Sequence, residues 1–496
     1  MPTSRPRTAA PRAVRGWRSR HPLLRRSLLL GACGLLPGIL FPQTALAHGI
    51  VGRANLPIPT WLFSWAAAIV LVLSFVALST LWRTPQLQQA RPRRLIKIPQ
   101  LLDWVASLVG VALFALVLYS GFAGSQVASA NFSVTFVYVV FWVGLPVLSV
   151  LFGDVFAALS PWRTSARVLS AVVRLLRRGT PSPLLRYPDW LGNWPAVAGL
   201  VGFAWLELVY ELNLRDHPAT IAALSLGYFL AMLAGMMLFG VEQWDSQADG
   251  FRVYLNMLSR LAPICRDQDG VLCLRRPLSG ITQLPIRPGT IAVICTLIGT
   301  TTFDGLSNGA VWRKSEPSLQ SVFADLGFGP TPAAELTYSV GLVLCILLIL
   351  AIYRLGIRGV ASVSARYDTK TLSRTFAHTL VPIAFAYVLA HYFSLLLWQG
   401  QAVIYLFSDP LGDGSNILGT AGYQIDYHVI SYAGIWYVQV AALLGGHVAG
   451  LMLAHDRALV LYKGRIEAAV RSQYWLLAVM VAFTSFGLWL LSSVGT

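Results

Sequence analysis

Residues 132 to 152 read FSVTFVYVVFWVGLPVLSVLF, twenty-one consecutive positions without a charged side chain. At about 1.5 Å of rise per residue, a helix of that length runs about 30 Å, the thickness of a bilayer's hydrocarbon core. A helix apolar on every face belongs in lipid or at the centre of a large protein, and the stretch is read as a transmembrane span. Comparable windows lie near 60–82, 104–124, 194–213, 218–240, 288–304, 334–356, 375–399, 428–455 and 474–493. They predict an all-α protein, a polytopic transmembrane helical bundle of about ten spans. Composition points the same way: 56% of the 496 residues are hydrophobic, 12% are charged, and mean hydropathy is +0.62. A soluble fold of this length has too little interior for so much apolar surface.

The chain begins with eight basic residues and no acid in its first 26 positions (Arg5, Arg7, Arg12, Arg15, Arg18, Arg20, Arg25 and Arg26). An apolar stretch over 27–41 and then Thr44-Ala45-Leu46-Ala47 follow, with small residues at both specificity positions of a signal peptidase site. Residues 1–47 are therefore expected to be a signal peptide, and 48–496 a single membrane domain. Cleavage there makes His48 the first residue. Its amine and imidazole together could hold copper, or His48 is simply a tolerated first residue.

The net charge of +17 falls to +9 once the leader's eight basic residues are removed, and the remainder is scattered through loops. That distribution argues against a nucleic-acid partner. It also orients the bundle, because basic loops resist translocation. If residue 48 starts outside and the ten spans alternate, the inside loops carry 26 Lys and Arg and the outside segments carry 4. Both mature termini are expected outside. The loop 400–424 holds no Lys or Arg, is rich in Gly, Asp, Ser and Asn, and is read as a mouth or lid. Cys265 and Cys273 sit in an inside loop, Cys295 and Cys345 inside spans; none has a zinc or disulfide spacing, and no chemistry is assigned to them.

Ionisable side chains within spans are costly unless paired or hydrated, so each is a functional candidate. Glu207 lies about 20 Å along the fourth span, with Glu211 one turn further on the same helix face and Tyr210 beside them. Thr300, Thr301, Thr302 and Asp304 close the sixth span. His391 sits about 22 Å along the eighth, followed by Tyr392. Asp426 and His428 open the ninth span from outside, with Tyr437 and Gln439 further in. Glu207, Glu211, Asp304, His391 and His428 thus share the outer third of the bilayer. Carboxylates mixed with imidazoles suit a divalent metal that activates water, or a proton or cation pathway. Toward the inner side, His378, His447 and His455 could ligate haem or copper, or serve as hydrated caps. Ala442, Gly446 and Gly450 recur every four residues and read as a close helix-packing seam. Nucleotide-binding glycine loops and the His-Glu-x-x-His, Gly-x-Ser-x-Gly and Cys-x-x-Cys-His motifs are missing, which leaves ATP-driven transport, serine-esterase chemistry and covalent haem unsupported.

Several strings resemble a family of bacterial multi-pass membrane proteins that carry the name fenitrothion hydrolase. They are Ala47-His48-Gly49-Ile50-Val51-Gly52 with Leu56 to Phe63, Leu159-Ser160-Pro161-Trp162-Arg163, Trp205-Leu206-Glu207-Leu208-Val209, Thr302-Phe303-Asp304-Gly305-Leu306-Ser307, Ala390-His391-Tyr392-Phe393-Ser394, Gly446-His447-Val448-Ala449-Gly450 and Ala454-His455-Asp456-Arg457. The resemblance runs from the leader to at least residue 457. It implies a hydrolase of organophosphorus triesters in the bacterial cytoplasmic (inner) membrane, acting on a small apolar substrate taken from the lipid bilayer.

The resulting expectation is that Glu207, Asp304 and His391 are catalytic. With Glu211, His428 or His48 they would hold one or two divalent ions (Zn, Mn, Co or Cu) that activate water near the outer face. Two other readings stay open. A transporter or metal- and ion-handling protein would use the same cluster, and a haem or copper redox subunit would use His378, His447 and His455.

Overall fold

The computed structural model describes residues 60–177, 183–363, 367–463 and 465–493. His48 and the expected signal peptide lie outside the described residues. Each of the ten apolar windows falls on a helix: α1 Thr60–Leu81, α2 Gln100–Ala123, α3 Phe132–Phe152, α4 Trp194–Leu208, α5 Pro218–Phe239, α6 Thr290–Ser307, α7 Pro330–Val363, α8 Val381–Trp398, α9 Tyr432–Leu461 and α10 Ile466–Ser493. Among the described residues, eight helices are long and apolar enough to cross a membrane; α1 and α4 contribute the shorter apolar stretches Trp65–Leu81 and Trp194–Leu208. The protein is an all-α bundle of apolar helices built for lipid.

Its axis is α6. The apolar window of α6 is 72% buried, against 11% for α2 and 17% for α10, which stand at the periphery. α6 packs on α4, α7, α8 and α10, so a side chain on it meets several helices at once. Close approach depends on small residues. A Cβ at Gly299 would lie 2.6 Å from the Ile346 Cα on α7, and at Gly446 2.8 Å from the Pro382 carbonyl next to α8's first turn. Gly450 meets the Thr379 carbonyl at 2.9 Å in the same way. The Gly446/Gly450 seam of α9 therefore faces α8.

α3 widens into a π-helix over Phe136–Gly144. Pro146 lies just beyond it and has no N–H for the helical ladder, and the Leu145 amide reaches back five residues to the Val140 carbonyl. Local sequence thus dictates an irregular turn where α3 passes the site described below.

At the end carrying the basic loops, two features complete the fold. Three short antiparallel strands, β1 Arg93–Lys97, β2 Ile264–Arg266 and β3 Val271–Leu274, pair in the order β1-β3-β2. Cys265 and Cys273 are register partners across β2 and β3, both as free thiols. Beside the sheet, the buried Asp249 caps the helix Gly250–Ser259. It accepts from the Phe251 and Arg252 amides, from Trp162 Nε1 at 2.6 Å and from the Tyr228 hydroxyl at 2.7 Å. Arg252 bridges Asp154 (2.6 Å) and Asp245 (3.0 Å), while Arg163 and Arg167 both reach Glu242. Asp456 on α9 is fully buried and accepts from Trp82 Nε1 and the amides of Gln86, Leu87 and Gln88, which fastens the turn after α1.

Candidate functional site

The end opposite the basic loops contains a cavity of about 830 Å³. Its walls come from the 128–139 region, the chain after α4, the C-terminal turns of α6, the start of α7 and the end of α8. Six carboxylates line it (Glu207, Glu211, Asp216, Asp304, Glu316 and Glu335) against one guanidinium, that of Arg215. Arg215 lies 3.9 Å from Asp216 and donates to the backbone carbonyl of Glu207 at 3.2 Å. Tyr138, from the π-helical part of α3, donates to the Arg215 carbonyl at 3.0 Å.

At the floor, three helices bring their polar groups together. His391 on α8 lies with Nε2 2.8 Å from Asp304 Oδ2 on α6. The neighbouring Tyr392 hydroxyl donates to the same Oδ2 at 2.8 Å and stands 3.4 Å from Glu207 Oε1 on α4. Asn308 Nδ2 donates to the other Asp304 oxygen at 3.3 Å. Two carboxylates from separate helices thus meet at one phenol, and the imidazole joins them through Asp304. The Asp304 and His391 side chains keep 15% and 21% exposure.

The structure therefore brings Glu207, Asp304 and His391 together, with Glu211 on the same cavity, and leaves His428 elsewhere. Glu211 lines the same cavity, but not on a shared helix face with Glu207. α4 stops at Leu208, where the amides of Val209 and Tyr210 both return to the Trp205 carbonyl, and the chain is extended at Glu211. His428 precedes α9 rather than opening it. Its side chain is 63% exposed, and its nearest carboxylate is Asp426 at 3.6 Å. A local Asx turn, in which the His428 amide donates to Asp426, holds it in the loop. His48 lies outside the described residues. The hydroxyls of Thr300, Thr301 and Thr302 bond back to carbonyls of their own helix and add nothing to the site.

A structural or catalytic divalent ion needs at least three donors converging on one point. Among the described residues no group of three or more His, Cys, Asp and Glu side chains is so arranged. The Asp304 oxygen nearest His391 is already engaged by both His391 and Tyr392. The residues at the floor form a hydrogen-bonded chain, and as placed they do not fit a coordination shell. The inner histidines are likewise separate. His378 lines a different cavity, His447 donates to the Leu443 carbonyl amid the rings of Tyr387 and Phe483, and His455 contacts the Trp82 carbonyl and Gln473.

The loop after α8, read from sequence as a mouth or lid, supplies none of the residues that line the cavity. Asp409 accepts from the amides of Asp413 and Gly414 and from Ser415, while the Leu411 and Pro410 carbonyls accept from the Ser125 and Phe132 amides. It is tied to the segment before α3 by backbone hydrogen bonds. Tyr392, Tyr138, Arg215 and three of the six carboxylates, Asp216, Glu316 and Glu335, are members of the site that sequence reasoning did not place in it. Adjacency to His391 was the one available signal for Tyr392.

These features define the class: a multi-helix membrane protein with an acid-lined cavity ending on a carboxylate, imidazole and phenol network. No protein-family model, curated protein or solved structure matches the chain.

Proposed function

We propose that this chain is a membrane transporter or ion-handling protein, in which the acid-lined cavity gathers a cation and the Glu207, Tyr392, Asp304 and His391 network exchanges protons with it. The charge of the cavity carries the reading, six carboxylates against one guanidinium. Low-dielectric walls focus that field and raise the local concentration of cations. Ionisable groups at membrane depth commonly mark ion or substrate paths. A cation arriving beside Glu207 and Asp304 adds charge that loss of a proton from the network offsets, and His391 and Tyr392 give that proton a hydrogen-bonded route. The proposed setting is the bacterial inner membrane, with the acid-lined end outside, as the placement of basic loops suggests.

The test uses proteoliposomes containing a pH-sensitive dye, challenged in turn with sodium, potassium, manganese and tetramethylammonium. Proton movement with at least one of them, abolished by Glu207→Gln in folded protein, is the expected result. Absence of movement with all four rejects the reading.

Hydrolysis of organophosphorus triesters is the second reading, as the resemblance to fenitrothion hydrolases implies. The 2.8 Å His391 and Asp304 pair favours it, since a carboxylate that fixes an imidazole is the usual support of a general base. With Nε2 donating to Asp304, Nδ1 is free to take a proton from water; the hydroxide attacks phosphorus and the phenolate leaves. Tyr210 lines both the acid-lined cavity and an apolar cavity of about 1,190 Å³ among α2, α3, α4 and α5, a route for a lipid-soluble substrate. Turnover of a chromogenic triester by purified protein, lost in His391→Gln, distinguishes this reading from the first.

A further inference from the structure

A second cavity, of about 380 Å³, lies at the basic end, far from the acid-lined site. It is an open pocket lined by Thr282, Thr371, Thr375, Arg374, His378 and Arg457, with Leu284 and Ile286 along one side. Among the described residues, no carboxylate lines it. Its two guanidiniums, one imidazole and three hydroxyls make it the chemical opposite of the acid-lined cavity.

Its imidazole and guanidiniums are also under-used. His378 is 2% exposed, lines the cavity, and has no hydrogen-bond partner for Nε2 among the described residues. Arg457 gives one hydrogen bond to the Thr282 carbonyl at 2.9 Å, yet its buried Nε has none. Arg374 makes no ion pair among the described residues. The acids near enough to compete are occupied. Asp456, next to Arg457 in sequence, gives both oxygens to Trp82 and the amides of residues 86 to 88. Asp368 caps the helix Thr369–Phe376 through the Thr371 amide. The hydroxyls of Thr282 and Thr375 already donate to carbonyls, so the unmet capacity lies in the guanidiniums: a buried Arg457 Nε without an acceptor is costly, and a tetrahedral oxyanion is the acceptor that two guanidiniums fit best.

We propose that this cavity binds a phosphate group. The chemistry is shared by a phospholipid headgroup and by free phosphate, and the two are separable by experiment. In one arm, inorganic phosphate is titrated into detergent-purified protein by calorimetry at constant ionic strength, with chloride as the control. In the other, thermal unfolding is compared in nanodiscs of phosphatidylcholine alone and with added phosphatidic acid. Saturable phosphate binding assigns a soluble anion; stabilisation by phosphatidic acid alone assigns a headgroup. In either arm Arg374→Gln is expected to weaken the response about ten-fold, as loss of one charge-assisted hydrogen bond implies. Arg374 is exposed and unpaired, so its variant keeps the fold where Arg457→Gln does not. Response in neither arm, or an undiminished response in Arg374→Gln and His378→Gln, overturns the proposal.

Discussion

Tyr392 shows how much a neutral residue contributes to a charged site. Its hydroxyl contacts both Asp304 and Glu207, so Tyr392→Phe removes the proton donated to Asp304 and the contact with Glu207. The expected cost is about 1–3 kcal/mol of stability in detergent. Loss of cation-driven proton movement should accompany it; an unfolding midpoint and flux equal to wild type would show that the phenol does not join the carboxylates. Asp249 offers a second test at the same scale. Burial, with the neighbouring Asp245 carboxylate adding to it, raises Asp249 from 3.8 to about 6. The folded chain then holds that proton more tightly than the unfolded chain. Its stabilising effect is complete below about pH 4 and is lost as pH rises through about 6, up to about 3 kcal/mol in all. A series of unfolding midpoints from pH 4 to 7 should fall for wild type and flatten in Asp249→Asn; parallel slopes would refute this. Glu207, Asp304 and His391 were legible in the sequence because a charge inside an apolar window stands out. Tyr392 did not stand out, since a tyrosine there incurs no such cost. Asp245 and Asp249 were invisible for the opposite reason: acids in a polar loop look solvated, and only packing shows them buried.

At the level of elements, hydropathy located each of the ten apolar helices but not the helices Pro161–Arg177 and Ala310–Asp325, which it read as loops, and it misjudged two ends that matter for the site. The apolar run past Trp194 continues beyond Leu208, so it reads as a helix through Glu211; the chain instead turns at Val209 and presents Glu211 from an extended segment. Glu211 is the N-cap residue of the short helix Leu212–Arg215, and the run before Tyr432 looks like the start of α9, yet Ser431 is the residue that caps that helix, leaving His428 in the loop. The α8 and α9 seam was legible because small residues at four-residue spacing have few other uses in an apolar helix. Gly446→Leu should separate α8 from α9 and cost about 1–3 kcal/mol or more through overpacking. Because α8 carries His391 and Tyr392, proton movement should fall along with the unfolding midpoint. A Leu variant as stable as wild type would mean the helices are not in contact at Gly446.

Across the whole molecule, one end is basic and the other acidic, and the two cavities follow that division. Cysteine labelling checks the orientation in cells, in a chain with Cys265 and Cys273 replaced by serine. Leu418→Cys, at the acid-lined end, should react with a membrane-impermeant maleimide from outside, and Arg465→Cys, at the basic end, only after the membrane is permeabilised. The reverse pattern would invert the bundle. The helical class, the placement of apolar segments and the charge asymmetry between ends were determined by sequence alone, because hydropathy and loop charge act locally along the chain. Which polar groups meet was decided only by tertiary structure. Glu207, Asp304 and His391 lie on α4, α6 and α8, and their contact depends on α6 occupying the axis of the bundle. The lateral order of helices is set by packing among nearly uniform apolar surfaces, on which periodicity carries no information.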